Sequence, residues 1–230
     1  MAHQPRYMLW AWERPEDLRW LPVSVGVAYV ATSVHLMGDQ VRIRPRANAL
    51  QVRDDTALTP VVHVDADWRQ PPALNDAQRA AVVGQVLAVA ARTKRPGAAQ
   101  VVQLDFEVRR SQRPFWMTVV REVRGQLPPS TALSVTALAS WCAGDHWLEP
   151  LAADEVVPMA FRMGRDAQAL RAQLKQTGHF SKPKCRHAIG TATDEPGVNV
   201  SAAVRHYFFS PMPWTAESWR QANPIPTTPP

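Results

Sequence analysis

The chain has 230 residues, of which 46% are hydrophobic and 20% are charged, a composition typical of a globular protein and unlike that of a disordered or fibrous one. The formal net charge is +6, but the arginines are spread along the whole chain, so we expect a solvated basic surface and no nucleic-acid partner. No apolar run approaches the roughly 20 residues of a membrane span. Localisation stays open, and one interpretation is an exported or envelope-associated protein whose targeting segment is absent from this chain.

Eight strand-like runs follow one another along the chain, and helical segments separate most of them. The predicted strands are residues 7–12, 25–32, 59–67, 99–108, 132–138, 156–161, 186–192 and 204–209, with a hairpin arm at 41–44. The predicted helices are a short one from Pro15, then residues 77–93, 114–127, 145–153, 166–177 and 215–221. Asn75 with Asp76 is expected to cap the helix at 77–93, and Gly178 is expected to end the helix at 166–177. This alternation, with a repeat of about 30 residues, is typical of βαβ units. It predicts an α/β fold, a (β/α)8 barrel of the TIM type.

The length of the chain constrains this barrel. Because a barrel of this class typically needs about 250 residues, we expect a compact one that is incomplete or distorted, with short or missing helices near the second and seventh strands. It would form a single domain over residues 1–222, followed by a disordered tail rich in proline and threonine at 223–230. The alternative, a doubly wound open sheet, lacks support because no G-x-G-x-x-G motif follows the first strand.

Two cysteines, Cys142 and Cys185, are too few for a disulfide framework or a four-cysteine metal site. The first follows the end of one predicted strand, and the second precedes the start of another. We therefore expect them at opposite ends of the barrel, as two free thiols.

Acidic side chains end the fourth predicted strand. Side chains alternate between the two faces of a strand, so Gln103, Asp105 and Glu107 share one face. The residues between them are apolar and are expected to pack against the helices. The polar face then points into the barrel, and its acids lie at the carboxyl end of the strand, where barrel enzymes keep their active sites.

The third predicted strand repeats this pattern with His63, Asp65 and Asp67, and Glu13 lies just beyond the first strand. Carboxylates that lie close together shift each other's pKa values, so that one stays protonated while another stays charged. Glycoside hydrolysis needs this division of labour. The candidate catalytic carboxylates are therefore Glu107, Asp105, Asp65 and Glu13, of which Asp65 or Glu13 would be the nucleophile or base.

Two alternatives remain open for these acids. They can be structural carboxylates, paired with some of the many arginines of this chain. They can also bind a metal ion, because His63, Asp65 and Asp105 form a plausible set of ligands. No spacing in the sequence requires a metal, and we expect neither a metal nor a cofactor.

Aromatic residues cluster near the predicted carboxyl ends of the strands. Large aromatic faces can stack on sugar rings, although core packing is the alternative for any single tryptophan. The predicted substrate-binding residues are Trp10, Trp12, His63, Asp67, Trp68, Trp141, Arg162 and Trp214. Carbohydrate is therefore the expected partner.

Three segments resemble an uncharacterised bacterial family of glycosidase-like barrels, known as domain of unknown function 3142. They are residues 41–46 (VRIRPR), 102–107 (VQLDFE) and 133–141 (LSVTALASW). This resemblance extends from Tyr7 to about Trp214 and implies a barrel fold, but the family has no established activity to transfer.

Residues 103–107 also resemble the end of the D-x-D-x-E motif of family 18 chitinases. That resemblance implies that Glu107 is the proton donor and Asp105 its modulator. The sequence departs from the motif in two places: Gln103 replaces the first acid, and Phe161 and Arg162 stand where those chitinases have a tyrosine and an aspartate. The leading hypothesis is a glycoside-hydrolase-like barrel that acts on or binds a carbohydrate, and the rival is a catalytically silent glycan-binding or structural barrel of a cell-envelope assembly.

Overall fold

The protein forms a closed barrel of parallel strands in a computed structural model that describes residues 4–93, 100–144, 146–198 and 204–222. The described strands are β1 (Tyr7–Ala11), β2 (Glu16–Asp17), β3 (Val25–Met37), β4 (Gln40–Pro45), β5 (Leu50–Gln51), β6 (Leu58–Ala66), β7 (Gln100–Phe106), β8 (Thr131–Leu138), β9 (Glu155–Met159), β10 (Ala188–Ala192) and β11 (Arg205–Phe209). Strands β1, β3 and β6 to β11 pair in parallel around the ring, and β1 joins β11 to β3. The predicted (β/α)8 barrel is therefore confirmed.

Four α-helices lie among the described residues: α1 (Asp76–Arg92), α2 (Arg113–Gln126), α3 (Ala167–Thr177) and α4 (Ala216–Ala222). The side chain of Asn75 caps α1 by accepting a hydrogen bond from the Gln78 amide at 2.9 Å. Gly178 ends α3 with φ of +70°, a left-handed conformation that glycine adopts without steric cost. Both helix ends were predicted from the sequence. None of the described helices has the length and apolar character needed to cross a membrane.

Other structures replace helices at three places. The predicted helix at Pro15 is wrong: β2 pairs with β5 instead, and the buried Glu16 carboxylate accepts hydrogen bonds from Arg14 and from the Trp214 amide. The predicted helix at 145–153 is also wrong, because residues 146–150 form turns that pack Trp147 onto Trp141. After β3 the chain returns as the antiparallel strand β4, the predicted hairpin arm. The described residues between β10 and β11 contain no helix, so the expected shortage near the second and seventh strands is confirmed.

The prediction of two free thiols is wrong, because Cys142 and Cys185 form a disulfide with their Cα atoms 5.8 Å apart. One cysteine ends a 3-10 turn after β8, the other ends a 3-10 turn before β10, and both turns contact β9. The two turns lie over the outside of the same strand. The position of a cysteine before or after a strand in the sequence therefore does not show whether two cysteines are close enough to form a disulfide.

The strands alternate as predicted between an outer apolar face and an inner face. On β7, Val102 and Leu104 belong to the buried cluster shared with α1 and α2, whereas Gln103 and Asp105 face inwards. The amino-terminal half of the interior contains a buried hydrogen-bonded group that we call the basal network. Its members are Gln103, Ser134, Glu155, Arg205 and Tyr207. The predicted tail, 223–230, lies outside the described residues.

Candidate functional site at the carboxyl ends of the strands

The mouth of the barrel, at the carboxyl ends of the strands, holds a histidine and an aspartate in direct contact. His63 on β6 is in register with Asp105 on β7, and its Nδ1 lies 2.8 Å from Asp105 Oδ2. The hydroxyl of Thr136 on β8 donates to the other oxygen, Oδ1, at 2.6 Å. Asp105 is only 6% exposed. Three adjacent strands thus fix the position of one buried carboxylate.

Glu107 follows Asp105 on the same side of the chain, just past the end of β7. Part of its side chain reaches solvent, and it has no hydrogen-bond or ion-pair partner within the described part of the chain. Burial against the mouth and the nearby charge of Asp105 raise the pKa of the Glu107 carboxyl above its ordinary value, and His63 opposes this effect. The environment of Glu107 therefore favours the protonated form of its carboxyl.

The imidazole of His63 is also perturbed. Burial alone would lower its pKa, but the hydrogen bond with Asp105 and the negative charges of Asp105, Asp65 and Glu107 together raise the pKa above the ordinary value. The ring of Trp12 meets His63 edge to face, with ring centroids 5.9 Å apart. The acids around His63 thus favour its protonated form, in which the imidazolium balances part of the negative charge of the mouth.

Strands β3 and β6 run past the ring of the barrel and, with β4, form an extension above the mouth. His35 on β3 lies between two acids, with its Nδ1 3.3 Å from Asp65 Oδ2 and its Nε2 3.3 Å from Asp67 Oδ2. Asp67 also accepts hydrogen bonds from the amides of Gln70 and Arg69, which lower the pKa of its carboxyl. Asp65 is the more accessible acid, with 66% of its side chain exposed.

Glu13 lies near the mouth, where it holds a loop. Its carboxylate accepts hydrogen bonds from the amides of Ala47 and Asn48 at 3.0 and 2.9 Å and from the Asn48 side chain. Burial would raise the pKa of Glu13, but these hydrogen bonds and the charge of Arg46 lower it. This arrangement supports a loop-anchoring carboxylate more than a nucleophile or base.

Only part of the predicted aromatic set is accessible. Trp12 is half-buried beside His63, and Trp68 is 67% exposed at the rim, where the guanidinium of Arg69 lies 4.9 Å from its ring centre. The prediction that the other three tryptophans line the mouth is wrong, because all three are core residues. Trp10 fills the barrel interior against Phe209, Trp141 packs outside β8 with Trp116 and Trp147, and Trp214 donates its indole hydrogen to the Trp10 carbonyl at 2.8 Å.

Arg162 lies in the loop after β9, in a left-handed conformation with φ of +52°. Its guanidinium pairs with Asp194 at 2.6 Å and with Glu195 at 2.9 Å, and its amide donates to Glu195. The neighbouring Phe161 packs on Phe209 with ring centroids 4.7 Å apart. These contacts connect the loops after β9 and β10. Because the guanidinium of Arg162 is already paired, a substrate would have to compete with these ion pairs for the predicted binding role.

The two alternative interpretations of the acids can now be compared with the structure. Among the described residues no arginine pairs with Asp65, Asp67, Asp105 or Glu107, so arginine pairing does not explain them. Of the proposed ligand set, His63 and Asp105 are in contact, whereas Asp65 pairs with His35. No group of three histidine, cysteine, aspartate or glutamate side chains among the described residues is arranged to hold a metal ion.

Sequence reasoning missed Thr136 and the basal network. The signal was present, since Ser134 and Thr136 alternate with Leu133 and Val135 along β8, the same alternation that identified the acids of β7. A hydroxyl group carries no charge and does not by itself indicate a catalytic site. Their inward placement matters because a buried carboxylate needs donors for its remaining lone pairs.

Comparisons with known proteins add no further evidence: no protein-family model and no curated protein matches the sequence, and no solved structure matches the fold.

Proposed function

We propose that this protein is a glycoside-hydrolase-like barrel that binds a carbohydrate at the mouth and cleaves it by acid and base catalysis. The observation that carries the proposal is the unpaired Glu107, with its raised pKa, beside an Asp105 held by His63 and Thr136. A carboxyl group that keeps its proton is suited to protonate a leaving-group oxygen. The resemblance of residues 103–107 to the chitinase motif supports the same role for Glu107.

The other residues of the mouth take roles that follow from their contacts. Asp105 orients His63 and raises the pKa of Glu107 through its negative charge. Asp65, exposed and two residues beyond His63, is the carboxylate available as base or nucleophile. Trp12 and Trp68 offer aromatic faces on which sugar rings stack.

The test is the release of reducing ends from a panel of neutral and acidic polysaccharides, with binding measured in parallel. We expect Glu107→Gln to lower turnover at least about 100-fold while binding persists, because removal of a general acid typically costs a factor of 10² to 10⁴. Glu122→Gln is the matched control, since it makes the same change on the outer helix α2, where Glu122 pairs with Arg79. Wild-type turnover should fall as pH rises through the raised pKa of Glu107.

Unchanged turnover in Glu107→Gln would remove Glu107 from the mechanism. The second candidate function is a catalytically silent barrel that binds glycan or has a structural role in a cell-envelope assembly. Two observations favour this candidate. Arg162, which stands where the resemblance expects the chitinase aspartate, is held in ion pairs with Asp194 and Glu195. The carboxylate of Glu13 is already engaged by hydrogen bonds from the neighbouring loop. Binding without release of reducing ends by the wild-type protein would select this candidate.

A further inference from the structure

Strand β4 presents two arginines, Arg42 and Arg44, at the free edge of the extension above the mouth. Both side chains are exposed, and neither has a hydrogen-bond or ion-pair partner in the described residues. The neighbouring Arg46 differs, because its guanidinium donates to the carbonyls of Trp12, Arg14, Val30 and Asn48. Arg46 is a structural residue, whereas the arginine pair, Arg42 and Arg44, is available to a ligand.

The register of the strands shows which way the pair faces. Cross-strand partners share one face of a sheet, and Arg44 is opposite Ser33, which is opposite His63, the partner of Asp105. One row of side chains therefore runs from Arg44 to Asp105. A second row runs in the same way from Arg42 through His35 to Asp65. Both arginines lie on the face that carries the acids of the mouth.

The apolar residues that alternate with the arginines, Val41 and the 39% exposed Ile43, lie on the opposite face of β4 and support this orientation. Val41 is partly buried and packs against the core cluster that includes residues of α1, so the outer face of β4 is the apolar one. Positive charge on a strand edge also prevents pairing with other chains. That role needs charge at the edge but does not need both charges on the face that carries the acids, and β4 places them there.

The chemistry of the pair suits a carboxylate. A guanidinium presents a planar fork of donors that matches the two oxygens of a carboxylate. Arg44 and Asp105 are separated by three strand spacings, or about 14 Å between backbones. A ligand that reaches both the arginine pair and Glu107 must therefore be a chain of several sugar units.

We propose that the arginine pair binds the carboxylate groups of an acidic polysaccharide that contains uronic acid units, and holds the chain across β3 and β6 towards Glu107. This inference rests on the proposed carbohydrate function and names its substrate class. Nucleic acid fits less well, because tight binders neutralise many phosphates and the row also contains Asp65. A sulfate ester carries a similar charge, and the experiment includes it as a separate arm.

The experiment measures binding by calorimetry at low salt, with four kinds of probe. They are tetrasaccharides of galacturonate, mannuronate and glucuronate, the same tetrasaccharides with their carboxyl groups reduced to alcohols, a sulfated tetrasaccharide and a single-stranded oligonucleotide. We expect the wild-type protein to bind at least one uronate tetrasaccharide at least tenfold more tightly than its reduced form. Arg42→Gln with Arg44→Gln should abolish that tenfold preference, because a neutral amide does not form the charge-assisted, bidentate hydrogen bonds that a guanidinium makes with a carboxylate.

The matched control is Arg92→Gln with Arg121→Gln, which removes the same two charges from exposed positions on α1 and α2. It should keep the preference of the wild-type protein. Arg42→Lys with Arg44→Lys retains the charge without the planar fork and should keep only part of the preference. Thermal unfolding verifies that each double variant is folded, and if the glutamine variant is not, the lysine variant carries the test.

Several results would overturn the inference: no preference for uronate over the reduced sugar, a preference that survives loss of the arginine pair, or binding that depends on the pair only with sulfated sugar or oligonucleotide. These results are separable from failure of the proposed function. If neutral polysaccharides are cleaved and Glu107→Gln abolishes cleavage, the proposed function stands while the inference falls. If no carbohydrate of any kind is bound or cleaved, both fall.

Discussion

Each end of the barrel interior contains a glutamate, but the two glutamates differ in their hydrogen-bond partners. In the basal network the buried Glu155 accepts hydrogen bonds from Ser134 and Tyr207, each at 2.8 Å, and from Arg205. At the mouth Glu107 has no such partner among the described residues. A buried charge with a full set of partners fixes one arrangement of the strands, whereas a carboxyl group without partners is available to a ligand.

The tyrosine of the basal network shows the same contrast. Burial and the negative charge of Glu155 hold the pKa of Tyr207 well above its ordinary value. Tyr207 therefore keeps its hydroxyl proton, and with it the hydrogen bond to Glu155, to a higher pH than an ordinary tyrosine. The raised pKa of Glu107 has a different consequence, because it favours a protonated carboxyl at the surface of the mouth, the group that the proposed function uses as proton donor.

Gln103 belongs to the basal network and lies two residues before Asp105 on β7. Its amide donates to Ser134 at 2.8 Å, and Ser134 in turn donates to Glu155. A carboxylate at position 103 would compete with Glu155 for the single hydroxyl proton of Ser134. This competition gives a physical reason for an amide and not an acid at position 103.

The largest expected effect comes from breaking the basal network. Glu155→Gln removes the buried carboxylate that pairs with Arg205, and removal of one partner of a buried ion pair typically costs about 3 to 5 kcal/mol. We expect urea unfolding to report a loss of that size. Loss of less than about 1 kcal/mol would show that the network does not hold the barrel together.

Reduction of the disulfide should have the next largest effect and should act on neither end of the interior. The bond closes a loop with a sequence separation of 43 residues, and such a cross-link typically contributes about 2 to 4 kcal/mol. Urea unfolding with and without reductant measures it. A Cys142→Ser, Cys185→Ser double variant that no longer responds to reductant is the control, and an unchanged midpoint on reduction of the wild-type protein would contradict the prediction.

The smallest effect, and one of opposite sign, is expected at the mouth. The folded-state pKa of Glu107 is raised, so ionisation of its carboxyl favours unfolding, and wild-type stability falls as pH rises through the raised value. Glu107→Gln removes this loss. The variant should match the wild-type protein below about pH 4 and exceed it at neutral pH, by less than about 1 kcal/mol because solvent screens the charge.

Thermal unfolding across this pH range measures the difference between Glu107→Gln and the wild-type protein. A variant that is less stable than the wild-type protein at neutral pH would show that Glu107 is a structural carboxylate like Glu155. The distinction between the two ends of the barrel would then be lost.

Much of the fold was predictable because it depends on local periodicity. The alternation of β7 identified the inward face that carries Asp105, and Asn75 and Gly178 marked the ends of helices. The two helices that were predicted wrongly begin with good local signals. These segments are not helical because Glu16 accepts a hydrogen bond from the Trp214 amide and Trp147 packs on Trp141. Contacts with residues outside a short segment cannot be predicted from that segment alone.

The sequence by itself determined the barrel, the inward face of each strand and the presence of acids at the carboxyl ends. Only the tertiary structure decided that His63 meets Asp105, that Trp10, Trp141 and Trp214 are core residues, and that the two cysteines are joined. The physical reason is that alternation along a strand is a property of neighbouring residues. Contacts between strands depend on register and closure, which bring together residues far apart in the chain.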